Sequence, residues 1–94
     1  MDKILIVFTM NGCPYCEIMK EQLKEEEIFF FERDIDKHKD EYDMFVEITE
    51  NEYVPAFMIV ESPETNPKTY LFAPERDFNE IDEGVKIIRE HFSK

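Results

Sequence analysis

A chain of 94 residues that is 43% hydrophobic and 14% aromatic holds apolar material for one small core, so a single domain over residues 1–94 is expected. Its 23 acidic against 11 basic side chains give a formal net charge of −12, which argues against a nucleic-acid partner, because phosphate contacts need clustered Lys and Arg. That acidity either serves solubility or steers the chain toward a basic partner surface. No segment is long enough to span a membrane, and the apolar run Ile4 to Phe8 is too short for the core of a signal peptide. Two cysteines do not make a secreted disulfide scaffold, so a reducing, cytoplasmic location is expected.

In chain order, Lys3-Ile4-Leu5-Ile6-Val7-Phe8 is rich in β-branched residues and reads as a strand covered on both faces. The turn Thr9 to Gly12 leads into Cys13, and Pro14 suits a first helical position, where a missing N–H costs nothing. The helix that follows runs to about Glu27, with Tyr15, Ile18, Met19 and Leu23 on its apolar face. Ile28 to Phe31, with Glu32 and Arg33, reads as a second strand, and a strand-helix-strand unit of this length implies a right-handed crossover and parallel pairing. A second helix spans about Lys39 to Glu50, with Tyr42, Phe45, Val46 and Thr49 on one side.

After Val54-Pro55, Ala56 to Val60 forms a third strand and Thr69 to Phe72 a fourth. The Pro- and Asn-containing connector Glu61 to Lys68 joins them as an antiparallel hairpin. The last helix carries Phe78, Ile81, Val85, Ile88 and Phe92 at three- and four-residue steps, with Asp77 as its cap and Glu80 as capping-box partner. Gly84 lies inside it as a slightly weakening residue. The order β-α-β-α-β-β-α predicts an α/β fold, one four-stranded mixed sheet flanked by three helices.

Cys13 and Cys16 can close a small disulfide ring and reopen it. A two-residue gap constrains the unfolded chain only slightly, so stability is a poor reason for the pair. At a helix N-terminus the Cys13 sulfur meets free N–H groups and the positive end of the helix dipole, which favour thiolate. Cys16, one turn inward, then suits the resolving role. Tyr15 either presents its ring beside the sulfur or packs on the helix flank. A zinc site would need two further ligands, and only His38 and His91 offer themselves, far apart in sequence, so no metal is expected.

Cys13-Pro14-Tyr15-Cys16 after an N-terminal strand, Val54-Pro55 at the entry to a later strand, and Arg76-Asp77 before the last helix together resemble a dithiol glutaredoxin of the thioredoxin fold. The resemblance covers essentially the whole chain. It implies a cis Pro55 beside the cysteines and Val54 backbone groups that pair with an extended thiol substrate. It also implies a glutathione site made by Tyr15, Val54, Pro55, Arg76 and Asp77, with Gly12 and Pro14 shaping the turn. An ordinary strand start is the other reading of Val54-Pro55, which the element order disfavours, and Asp77 could serve as a cap alone or as both.

The sequence departs from the family pattern in four places. Ala73-Pro74 stands where Gly-Gly is usual, and Thr9, Met10 and Asn11 replace a basic residue before the first cysteine. Tyr53 replaces a Thr, and the connector at 61–68 exceeds the usual hairpin of about two to five residues.

The implied activity is reduction of protein disulfides or glutathione mixed disulfides by a monomer that uses glutathione as co-substrate and no tightly bound cofactor. The alternatives are a thioredoxin-like electron donor, for instance to ribonucleotide reductase, recharged by a reductase, and an iron-sulfur carrier that uses Cys13 and glutathione across a dimer.

Overall fold

Periodicity in the sequence resolves into seven elements in a computed structural model, which describes residues 3–93: β1 (Lys3–Thr9), α1 (Pro14–Glu25), β2 (Phe31–Asp34), α2 (Lys39–Thr49), β3 (Ala56–Glu61), β4 (Lys68–Phe72) and α3 (Ile81–Phe92). The sheet order is β2-β1-β3-β4, with β1 parallel to β2 and antiparallel to β3, and β3 antiparallel to β4. This is the expected mixed α/β sheet, and its arrangement is thioredoxin-like. No helix among the described residues is long and apolar enough to cross a membrane.

Alternation along β1 divides the core in two. Leu5 and Val7 join Phe57 and Ile59 of β3 against Met19 and Leu23 of α1 and Val85 and Ile88 of α3. Phe8 points to the opposite face and packs with Tyr42 and Phe45 of α2, Ala56 and Ala73. Both faces of β1 are covered, as its unbroken apolar run requires.

Three features differ from expectation. β2 begins at Phe31 instead of Ile28, because the end of α1 reaches further than its last helical residue. The Ile28 N–H still donates to Leu23 O at 3.0 Å, and Glu27 adopts a positive φ of 58°, so residues 27–28 close the helix and cannot extend. On α1 itself, Tyr15 and Ile18 are exposed, and the buried stripe is Cys16, Met19 and Leu23.

The third difference concerns α3, whose N-cap is Glu80 and not Asp77. The Glu83 carboxylate turns back to accept the N–H groups of Asn79 and Glu80, each at 2.8 Å, and these bonds hold it below the usual carboxylate range. The capping motif expected at 77/80 is thus realised one turn later, and the Asp77 carboxylate is used elsewhere.

Gly84 does more than weaken α3. It is buried where α3 crosses Met19 and Phe78, and a Cβ there would lie 3.1 Å from Met19 Cε and 3.2 Å from the Phe78 ring. Both neighbours belong to the closed core and cannot swing into solvent. Gly84→Val is therefore expected to cost about 1–3 kcal/mol in a urea melt through overpacking.

Candidate active site

The dithiol sits where β1 hands the chain to α1. Gly12 adopts φ of 73° with nothing within 4 Å of where a Cβ would stand, so glycine is required there by the backbone and not by crowding. Cys13 is the N-cap of α1 in extended conformation, and Pro14 is the first helical residue. Glu17 N–H donates to Cys13 O at 3.2 Å as the first bond of the helix.

Cys13 and Cys16 form a disulfide, with Cα atoms 5.2 Å apart, and Cys13 Sγ accepts the Cys16 N–H at 3.1 Å. A helix N-terminus thus points an N–H at this sulfur, the arrangement that stabilises a thiolate. Cys13 retains 8% exposure and Cys16 none, so Cys13 is the less enclosed of the two.

One wall of a groove comes from Tyr15, which lies between the two cysteines in the chain, and from Tyr53, Val54 and Pro55. Tyr15 is 64% exposed, so its ring is not packed on the helix flank. The Val54–Pro55 peptide bond is cis, Pro55 is buried, and among the described residues the Val54 backbone N–H and C=O have no hydrogen-bond partner. These unpaired groups are available to an extended chain. The facing wall is the segment between β4 and α3, where Pro74, Glu75, Phe78, Asn79, Glu80 and Ile81 complete a groove of about 510 Å³.

Asn51 joins the two walls. Its amide donates to Pro74 O at 2.7 Å and its carbonyl oxygen accepts the Tyr53 N–H at 2.9 Å. The Tyr42 hydroxyl donates to Glu52 O at 2.6 Å, which fixes the same connector to α2. Nothing in the sequence distinguished Asn51 from a loop breaker.

Arg76 and Asp77 do not line this groove. They line a neighbouring hollow that shares Glu75, Phe78 and Asn79 with it. The Asp77 carboxylate accepts the Ala73 N–H at 2.8 Å, while its own N–H donates to Ala73 O at 2.9 Å. Arg76 Nη1 lies 3.2 Å from Asp77 Oδ2, so each partly neutralises the other.

Other cations are also engaged: Arg33 pairs with Glu41 at 3.3 Å, and Lys20 lies 2.9 Å from both Glu17 and Glu32. The hydrogen bonds to Glu32 and then Glu17 hold Lys20 above its usual value, and Lys20 followed by Thr9 holds Glu32 below its own. Thr9, at the end of β1, donates its hydroxyl to Glu32 at 2.7 Å, so this network ties α1 to the strand that delivers the dithiol. The charged residues that do line the groove, Glu75 and Glu80, are both acidic.

Residues 5–61 match the family model for glutaredoxin, a span that contains both cysteines and Val54–Pro55 but ends before Arg76 and Asp77. Among solved structures the chain is similar to one described as that of a malarial protein, with 13% identity, 97% of this chain and 98% of that chain covered, and a TM-score of 0.56. At that identity the likeness is one of fold. No curated protein matches the chain.

Proposed function

We infer the function from one premise: this chain belongs to the glutaredoxin family and is a thiol-disulfide oxidoreductase. In the finer reading it reduces protein disulfides or glutathione mixed disulfides as a cytoplasmic monomer, with glutathione as co-substrate and no tightly bound cofactor. The observation that carries this reading is the Cys13 sulfur at the N-cap of α1, accepting the Cys16 N–H and more exposed than its partner.

In the reductive direction the Cys13 thiolate attacks one sulfur of the substrate disulfide. A Cys13–substrate disulfide forms and the other substrate sulfur leaves as thiolate, taking a proton from solvent. Cys16, after giving its proton to solvent, attacks Cys13 Sγ. The Cys13–Cys16 bond forms as the Cys13–substrate bond breaks, and the second substrate sulfur leaves with that bond's electron pair as a thiolate, taking a proton from solvent. Two glutathione thiols then return two electrons to the pair and leave as glutathione disulfide. Val54 backbone groups would pair with the cysteinyl residue of glutathione, and Arg76 and Asp77, past Asn79, would receive its γ-glutamyl end.

A second reductant is favoured by a specific observation: among the described residues no cation lines the groove, and Arg76 is tied to Asp77. A thioredoxin-like donor recharged by a reductase protein would not need those cations. Turnover of a disulfide substrate with glutathione and glutathione reductase, compared with thioredoxin reductase, separates the two. Turnover is expected with glutathione. A protein reduced only by thioredoxin reductase would overturn glutathione dependence and leave the dithiol chemistry standing.

A further inference from the structure

We propose that Glu75 and Glu80 make this groove selective for a disulfide-bearing protein segment, bound in extended form, whose cysteine is flanked by lysine or arginine. The inference rests on the oxidoreductase reading for its chemistry and adds the class of substrate.

The groove is a binding site because Tyr15, which lies between the two cysteines in the chain, and the unpaired Val54 backbone groups line it, and those groups can pair with an extended chain as a sheet edge does. The two acidic residues decide which chain. Glu75 and Glu80 are exposed, so their carboxylates meet an incoming side chain without prior desolvation. Neither forms an ion pair among the described residues. Glu75 is also held in place: its backbone has φ of 68° and its N–H donates to Phe78 O at 2.7 Å, while the Asn51–Pro74 bond fixes the preceding residue. The net charge of −12 adds a long-range field of the same sign, which raises the encounter rate of cationic segments. The exposed rings of Tyr15 and Tyr53 offer faces over which the same cations can lie.

The test uses three synthetic peptides that carry one internal disulfide flanked by Lys, Ser or Glu. At low salt, kcat/KM for the Lys peptide is expected to exceed that for the Glu peptide by roughly three- to tenfold, and the ratio should shrink as salt screens exposed charges. Glu75→Gln and Glu80→Gln together should collapse the ratio toward one. Glu25→Gln, which removes one charge at the far end of α1, should leave it intact. Reduction of the Ser peptide in the same assay tests the oxidoreductase reading by itself.

Titration of peptides with Ser in place of both cysteines onto the disulfide form reads the preference without any chemistry, again as a roughly three- to tenfold difference in affinity. Equal rates and equal affinities for the Lys and Glu peptides would overturn the assignment. So would a preference that survives the double substitution, because it would then belong to net charge and not to the groove.

Discussion

Cys13→Ser is expected to bring disulfide reduction down to the uncatalysed rate, while Cys16→Ser keeps part of it. A serine hydroxyl is not ionised near neutral pH and forms no disulfide, so the first attack disappears entirely. The fold should persist in both variants, because oxygen for sulfur at either position changes little volume and a two-residue disulfide loop adds little stability.

In Cys16→Ser the Cys13 thiolate can still attack, and the Cys16 N–H that faces its sulfur is a backbone group which the substitution leaves in place. Without the resolving thiol, a protein substrate stays attached through a mixed disulfide. A glutathione mixed disulfide is still turned over, because a second glutathione can displace the first. Parallel assays on a protein disulfide and on a glutathione mixed disulfide, with mass spectrometry for the trapped adduct, check both statements. Equal loss in the two variants on both substrates would contradict the assigned roles, as would an adduct on Cys16.

What the sequence made legible is what lies close together along the chain. The strand of β1, the turn at Gly12, the two cysteines and Pro14 at the start of α1 fall within fourteen residues of Lys3, and each has a local cause. The start of β2 is not legible in the sequence, because Ile28-Phe29-Phe30 is as apolar as a strand. Only the hydrogen bond from Ile28 to Leu23 shows that the helix end still holds it. The cap of α3 is illegible for a different reason. An acid followed three residues later by Glu fits both Asp77/Glu80 and Glu80/Glu83, so the local pattern does not choose. The choice is tertiary: Phe78 is buried against Phe57, and the Asp77 carboxylate closes the turn onto Ala73. The acidic groove wall is not legible in the sequence because Glu75 and Glu80 meet Tyr15, Val54 and Pro55 around one groove only through the 73–80 turn, itself tied to the other wall by Asn51.

The same turn depends on the core beneath it, and Phe57→Ala is expected to be the most destabilising single truncation considered, at about 3–5 kcal/mol. Phe57 has no exposed surface and pairs in register with Val7 on the neighbouring strand. Its ring lies 4.9 Å from that of Phe72 and 5.5 Å from that of Phe78. Removing it opens a cavity bounded by β1, α1 and α3 that no exposed side chain can fold in to fill. A domain of this size has roughly 5–15 kcal/mol of stability in all, so the variant should unfold at a much lower denaturant concentration and at a lower temperature. Phe29→Ala provides the comparison, because Phe29 is 73% exposed and its main neighbour is Phe31. That change should stay within about 0.5 kcal/mol of the parent. Urea melts of both variants decide the matter, and a larger loss at Phe29 than at Phe57 would mean that the packing around β3 does not carry the fold that brings Val54–Pro55 and Phe78 to one groove.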